Sequence, residues 1–121
     1  MELTSENKAA FEIFNNFWLL LKPYANDEET KSYKKIMSDI FKLFIKERGN
    51  KYTDDWWDTT KDIIDYPDRY NKTKYVDFAS DLVIAILDYW QYASKNPVNK
   101  CDFMIHVGKA FVYEWERIRD D

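Results

Sequence analysis

Aspartates are the side chains whose spacing could support chemistry in this sequence. Asp54, Asp58 and Asp62 lie four residues apart, and Asp77 and Asp81 repeat that spacing later in the chain. Residues four apart share one face of an α-helix. Two such helices facing each other could hold Mg²⁺, which binds a few carboxylates together with water and phosphate oxygens. The candidate metal site comprises Asp58, Asp62, Asp77 and Asp81.

These paired carboxylates suggest a Mg²⁺-dependent nucleotide hydrolase. Their arrangement is similar to that of the all-α nucleoside-triphosphate pyrophosphohydrolases, whose pattern is Glu-x-x-Glu on one helix and Glu-x-x-Asp on the next. This chain departs from that pattern, because residues 54–88 contain no Glu. Aspartates opposite an apolar stripe are also typical of a solvated helix face. We therefore keep the hydrolase as an alternative and favour a non-catalytic protein without a cofactor.

The residues needed for other kinds of catalysis are scarce. Two glycines are too few for a glycine-rich phosphate loop, and one histidine, His106, is too few for a dedicated zinc site. His106 lies away from the apolar stripe of its predicted helix, so we expect it to be exposed. The single cysteine, Cys101, is predicted to be a small buried residue, since free cysteines are often buried.

Negative charge is concentrated in the middle of the chain. The 121 residues carry a formal net charge of −4, yet residues 54–88 hold nine aspartates and only four basic residues. Duplex DNA carries about one charge per 1.7 Å of its axis, a far higher density than that of residues 54–88. Mimicry of nucleic-acid phosphates would therefore be confined to one patch of the surface. Direct nucleic-acid binding is not expected, since domains that bind nucleic acid are usually basic. Four lysines on the second predicted helix are interpreted as a solvated face: Lys31, Lys35, Lys42 and Lys46.

Aromatic residues make up 18% of the chain, with 5 Trp, 9 Tyr and 8 Phe. We expect some of these rings to form an interface, because Trp and Tyr offer large, stiff contact areas. The rings predicted to be exposed are Trp57, Tyr66, Tyr70, Tyr89, Tyr92 and Tyr113. The candidate protein-binding residues are Trp57, Tyr66, Tyr70, Asp62, Asp65 and Asp68. The alternatives are a core crowded with rings and self-association into a homodimer through the same rings.

Apolar periodicity divides the chain into five predicted helices, and the length fits one all-α domain of residues 1–121. The first begins at Thr4 or Ser5 and ends at Pro23, the second runs from Asn26 or Asp27 to Gly49, the third from Thr53 to Tyr66-Pro67, the fourth from Thr73 to Ser94, and the fifth begins at Asn96-Pro97. Residues 82–87 are apolar on all sides, so the helix near residues 74–94 is predicted to be central, with the first, second and fifth helices packed around it.

The fifth predicted helix carries a long apolar stripe. Its predicted buried residues are Cys101, Met104, Ile105, Gly108, Phe111, Val112, Trp115 and Ile118. Gly108 costs about 1 kcal/mol relative to Ala inside a helix. The glycine is either simply tolerated there, or it allows a neighbouring helix or bulky ring to approach closely.

Three segments carry a family resemblance: Phe17-Trp18, residues 52–57 (YTDDWW), and residues 77–90, which begin DFASDL and end LDYW. Over about residues 11–93, the chain resembles small helical proteins of phages, prophages and other mobile elements of AT-rich Gram-positive bacteria. The resemblance implies an accessory factor, a class that includes inhibitors of host defence systems. It implies no catalytic residues.

The sequence therefore predicts a non-catalytic module that binds and modulates a host protein, for example a defence nuclease inhibited in the manner of an anti-CRISPR protein. The first eight residues lack the order of a signal peptide, and the longest apolar run, residues 82–87, is far below the about 20 residues of a membrane span. We expect the protein in the host bacterial cytosol, without membrane association.

Overall fold

The computed structural model describes residues 5–47, 61–97 and 99–119. Five α-helices lie in these ranges: α1 (Ser5–Leu21), α2 (Asp27–Glu47), α3 (Lys61–Asp65), α4 (Val76–Lys95) and α5 (Lys100–Arg119). Short 3₁₀ helices follow α1 at Lys22–Tyr24 and α3 at Tyr66–Tyr70. The described ranges contain no strand, and the prediction of an all-α fold is confirmed.

The start of α2 follows from local hydrogen bonds. The Glu29 amide donates to Asn26 Oδ1 at 2.8 Å, and the Asn26 amide donates to Glu29 Oε1 at 3.0 Å. Two backbone donors at the helix N-terminus are thereby satisfied by side chains. The predicted start at Asn26 or Asp27 is confirmed.

The starts of the last two helices were predicted two to three residues too early. Thr73 lies in a turn, where its hydroxyl donates to the Tyr70 carbonyl at 2.6 Å, and α4 begins only at Val76. Similarly, α5 begins at Lys100 rather than at Pro97, because Asn99 and Asp102 exchange side-chain and backbone hydrogen bonds at its N-terminus. Residues 53–60 of the third predicted helix lie outside the described residues.

Helix α4 supplies a large share of the core. Its buried residues are Phe78, Ala79, Leu82, Val83, Ala85, Ile86 and Trp90. It packs along α5 and also contacts α2 and the 3₁₀ helix Tyr66–Tyr70, whereas α1 packs mainly against α5. The apolar segment 82–87 of this helix keeps one open side, where Ile84 is 55% exposed.

Aromatic rings fill much of this core. Phe44 of α2 stacks on Trp90 of α4 with ring centroids 5.7 Å apart, and Tyr33 meets Phe78 edge to face at 5.2 Å. Phe14 of α1 joins the same cluster. Part of the aromatic excess is therefore explained by packing, as the crowded-core alternative predicts.

The buried face of α5 differs from the predicted one. Its buried residues are Phe103, Val107, Gly108, Ala110, Phe111, Glu114 and Ile118. Met104, Ile105 and Val112 are exposed, and Cys101, predicted to be buried, is exposed as well. Both sets of residues repeat every three or four positions. The side that faces α1 and α4 is the one that becomes buried.

Gly108 lies where α5 meets α1. A Cβ atom at this position would lie 2.8 Å from Cζ of Phe17. The Phe17 ring also stacks on Phe111 at 5.3 Å, with the two ring planes 17° apart. The interpretation that Gly108 allows close approach of a bulky ring is confirmed.

None of the helices in the three described ranges combines the length and the apolar character that crossing a bilayer requires.

Candidate functional site

Tyr66, one of the predicted interface rings, is 1% exposed, so the prediction that it lies on the surface is wrong. Its hydroxyl donates to Asp39 Oδ2 at 2.8 Å and lies 3.0 Å from the hydroxyl of Tyr70. The guanidinium of Arg69 lies 4.9 Å from the ring centroid. Burial, together with these two partners, raises the pKa of Tyr66. Tyr66 is therefore a structural residue that joins the 3₁₀ helix Tyr66–Tyr70 to α2.

The remaining predicted interface residues have different surroundings. Tyr70 is half-buried, and Trp57 lies outside the described residues. Asp62, Asp65 and Asp68 are exposed, and their role in binding stays a prediction. Of the other rings expected at the surface, Tyr92 and Tyr113 are exposed and Tyr89 is half-buried.

The candidate metal site is not assembled in the part of the chain that can be described. Arg117 donates to Asp81 Oδ2 at 2.8 Å, so this carboxylate already has a cationic partner. Asp77 is exposed in the first turn of α4, and Asp58 lies outside the described residues. Within the described ranges, no three His, Cys, Asp or Glu side chains converge as metal ligands. Asp62 lies in these ranges and therefore belongs to no such group.

The ion pair of Asp81 belongs to a polar network in the core. Glu114 is only 3% exposed; it accepts a hydrogen bond from the Tyr33 hydroxyl and another from Arg117 Nε at 2.7 Å. Burial and the adjacent carboxylate raise the pKa of Tyr33. Burial disfavours the charge on Arg117, but its bonds to Asp81 and Glu114 outweigh this effect and raise its pKa. The network joins α2, α4 and α5 through hydrogen bonds and ion pairs among its own side chains.

His106 lies beside a small cavity of about 250 Å³ between α4 and α5. It is half-buried, which corrects the prediction that it is exposed. Its Nδ1–H donates to the Asp102 carbonyl at 2.8 Å, and its ring packs against Tyr89 and Tyr92. The imidazole is thus held by its own helix and by rings of α4.

A larger cavity, of about 440 Å³, opens between α1 and α2 and is called the α1–α2 groove. Its lining residues are Phe11, Phe14, Asn15, Trp18, Lys34, Met37, Ser38, Phe41 and Lys42. Phe11 meets Phe41 edge to face at 5.5 Å, and Lys34 Nζ lies 6.0 Å from the Trp18 ring centroid. These pairs show that α1 and α2 run antiparallel along the groove. Its volume lies in the range of about 300–1,000 Å³ that is typical of ligand pockets.

The floor and the rim of the α1–α2 groove differ in chemistry. The floor residues are between 3% and 8% exposed: Phe14, Trp18, Met37 and Phe41. Phe11 forms a wall and is 47% exposed, although it is a large apolar residue. Lys34 and Lys42 lie on the α2 side of the rim, with Ser38 between them. An apolar floor with a few polar groups around it is the usual composition of a binding site.

Sequence reasoning missed the α1–α2 groove. The floor residues belong to the apolar stripes predicted for α1 and α2, and such stripes predict burial without distinguishing a filled core from an open cleft. One available signal was the spacing of Lys34, Ser38 and Lys42, which repeats every four residues beside Met37 and Phe41.

Comparison of the chain with protein-family models, curated proteins and solved structures finds no match.

Proposed function

We propose that the protein is a non-catalytic protein-binding module and that the α1–α2 groove is its binding surface. The observation that carries this proposal is the exposure of Phe11 on the wall of a groove whose floor is apolar. A partner that covers the exposed half of this ring removes apolar surface from water and thereby stabilises the complex. Full burial of a Phe side chain is worth about 1.5–3 kcal/mol, so covering the exposed half is worth about 1 kcal/mol.

The site that sequence reasoning placed around Trp57, Tyr66 and Tyr70 gives way to this groove in the proposal. Tyr66 is bonded inside the fold and would have to leave the core to contact a partner. Phe11 meets Phe41 edge to face and is 47% exposed, so it can contact a partner without leaving its place in the fold. An aromatic anchor beside a preformed pocket is the usual form of a binding hot spot.

The resemblance to mobile-element proteins supports a bacterial host protein as the partner. Occupation of a functional surface of that protein, such as the active region of a defence nuclease, would make the module an inhibitor. Binding alone suffices for such a role, so the proposal needs neither a cofactor nor a catalytic residue.

Selection of peptides against the protein tests the groove without assuming the partner. A random peptide library is selected on the full chain, and the selected peptides are titrated against wild type, Phe11→Ala and Leu19→Ala. Leu19 is the matched control, because it is 60% exposed on the same helix and does not line the groove. We expect Phe11→Ala to weaken binding about fivefold, which corresponds to the about 1 kcal/mol of lost burial, and Leu19→Ala to change it less than about twofold.

Circular dichroism at the titration temperature must show that both variants are folded. The proposal is wrong if the selected peptides bind Phe11→Ala and wild type equally well. The same titration is repeated with a host protein that is captured from a bacterial lysate and purified. We again expect Phe11→Ala to bind it more weakly than wild type and Leu19→Ala to bind it about as well as wild type.

A further inference from the structure

We infer that the α1–α2 groove receives an acidic amphipathic α-helix, which lies along α2 and places two carboxylates opposite Lys34 and Lys42. The inference rests on the proposed function and specifies the chemistry of the partner. Its basis is the length of the groove, the charge of its lining and the recessed position of its rings.

The length of the groove matches two turns of a helix. Phe11 and Trp18 are seven residues apart on α1, and Lys34 and Lys42 are eight apart on α2. At about 1.5 Å per residue, these separations are about 10 and 12 Å. A helix that binds in a groove presents apolar anchors at positions i, i+3 or i+4, and i+7, which span the same two turns.

The charge of the lining is opposite to the charge of the whole protein. Of the nine lining residues, five are apolar, two are neutral and polar, two are lysines, and none is acidic. The groove thus carries two positive charges in a chain whose net charge is −4. Complementary potentials of this kind favour an acidic partner and disfavour a basic one.

Four lysines of α2, between positions 31 and 42, fall into two groups according to their ion-pair partners. Lys35 forms an ion pair with Asp39 at 3.1 Å, and Lys31 lies 4.0 Å from Glu28. Lys34 and Lys42, which line the groove, form no ion pair with any residue in the described ranges. Among the α2 lysines whose side chains the structure describes, the two at the groove rim are therefore the ones whose ammonium groups lack an acidic partner and can pair with carboxylates of a bound protein.

Two carboxylates about 12 Å apart fit a helix better than a small anion. A fatty acid or an aromatic acid carries one carboxylate and can meet only one of the two lysines. A partner helix that runs beside α2 can place acidic residues seven or eight positions apart, about 10–12 Å, at the same edge of its apolar face. Single-stranded nucleic acid is disfavoured, because successive bases stack on several open ring faces and Phe11 alone of the four lining rings is more than 7% exposed.

The apolar anchors supply most of the affinity in this arrangement, and the lysines supply selectivity. An exposed ion pair changes an affinity by up to about fivefold, and like charges placed opposite each other repel, so exchange of two carboxylates for two ammonium groups should weaken binding about tenfold. Mobile ions screen such contacts, and this selectivity should decrease as the ionic strength rises.

Three labelled helical peptides of about 15 residues test the inference, a length at which helices begin to be stable. They share leucines at positions i, i+4 and i+7 and differ at two flanking positions, which are Glu, Gln or Lys. Fluorescence anisotropy with the full-length protein at low and high ionic strength measures the three affinities. We expect the order Glu, Gln, Lys from tightest to weakest, with about a tenfold difference between the Glu and Lys peptides at low salt that decreases at high salt.

Charge reversal at the rim provides the decisive variant. Lys34→Glu combined with Lys42→Glu should reverse the order of the three peptides. Lys31→Glu combined with Lys35→Glu changes the charge of the same helix equally but lies outside the groove lining, and it should preserve the order. Phe11→Ala should weaken all three peptides alike.

The possible failures are distinguishable. If the three peptides bind equally and all depend on Phe11, the acidic partner is wrong and the proposed function stands. If library-selected peptides depend on Phe11 but are not helical when bound, the helical partner is wrong. A dimer in sedimentation velocity that Phe11→Ala abolishes would identify a second copy as the occupant and overturn the inference. If no peptide depends on Phe11, the proposed function fails too.

Discussion

At Gly108, the absence of a side chain lets α1 and α5 approach closely. The Phe17 ring occupies the space that a Cβ would need, and it stacks on Phe111 beside it. At Tyr66, by contrast, a large side chain with a polar hydroxyl group is buried together with its hydrogen-bond partner. Its hydroxyl reaches Asp39, so the ring can be buried without losing a hydrogen bond.

Gly108→Ala should lower the free energy of unfolding by about 1 kcal/mol. Overpacking costs about 1–3 kcal/mol, and the better helix propensity of Ala returns about 1 kcal/mol. In a Phe17→Leu background the added methyl group has room, and the same change should be neutral or stabilising. Urea denaturation of the four proteins in this double-mutant cycle measures the coupling. Lys109→Ala, at an exposed position of the same helix, is the control, and additive effects would contradict the contact.

Helices α2 and α5 have the same kind of N-terminal capping interaction. In each, an asparagine before the first turn exchanges hydrogen bonds with an acidic residue three positions later, Asn26 with Glu29 and Asn99 with Asp102. At α2 the capping residue Glu29 also forms an ion pair with Lys74, which is distant in the sequence. The hydrogen bond from the Asn26 amide and the Lys74 ammonium lower the pKa of Glu29.

Glu29→Gln should reduce stability at neutral pH by up to about 1 kcal/mol, because Gln keeps the capping hydrogen bond and loses the ion pair. A carboxyl whose pKa is lower in the folded than in the unfolded state stabilises the fold above its unfolded pKa. This contribution is lost as the pH falls through the folded pKa. The difference between wild type and Glu29→Gln should therefore vanish in acid, as measured by urea denaturation over a pH series.

Glu28→Gln is the matched control, since Glu28 is in the same helical turn and its carboxylate is almost fully exposed. It should produce a smaller change than Glu29→Gln at neutral pH. Equal effects of the two substitutions would show that the helix dipole, and not the contact with Lys74, is responsible.

At the scale of the whole molecule, a partly buried polar network joins α2, α4 and α5 next to the aromatic core. Tyr33 on α2 and Arg117 on α5 both contact Glu114, and Arg117 continues to Asp81 on α4. A carboxylate as buried as that of Glu114 needs these partners, because an unpaired buried charge is costly. None of the four residues of this network lines the α1–α2 groove, so the proposed binding does not require their hydrogen bonds to change.

Arg117→Met should lower the free energy of unfolding at neutral pH by about 2 kcal/mol, since Glu114 would lose its cation. Urea denaturation of wild type and variant measures this loss. Arg119→Met is the control on the same helix, with an expected loss below about 1 kcal/mol. Equal losses for the two variants would contradict a specific role of the contact with Glu114.

Sequence reasoning predicted the fold class and one helix start within a residue, and it missed most of the site. The start of α2 follows from Asn26 and Glu29, which lie within one turn of each other. The α5 start was missed because Pro97 is an equally good first helical residue when considered alone. Tyr66 was misplaced because Asp39, the residue that satisfies its hydroxyl, lies 27 positions away in the sequence.

The sequence by itself determined that the chain forms amphipathic helices rich in aromatic residues, since capping, proline and apolar periodicity act within a few residues. Only the tertiary structure decided which of two apolar stripes on α5 is buried. It also decided that the stripes of α1 and α2 leave an open groove between them. Burial depends on where neighbouring helices lie, and those positions are set by contacts between distant residues such as Phe17 with Gly108 and Phe11 with Phe41.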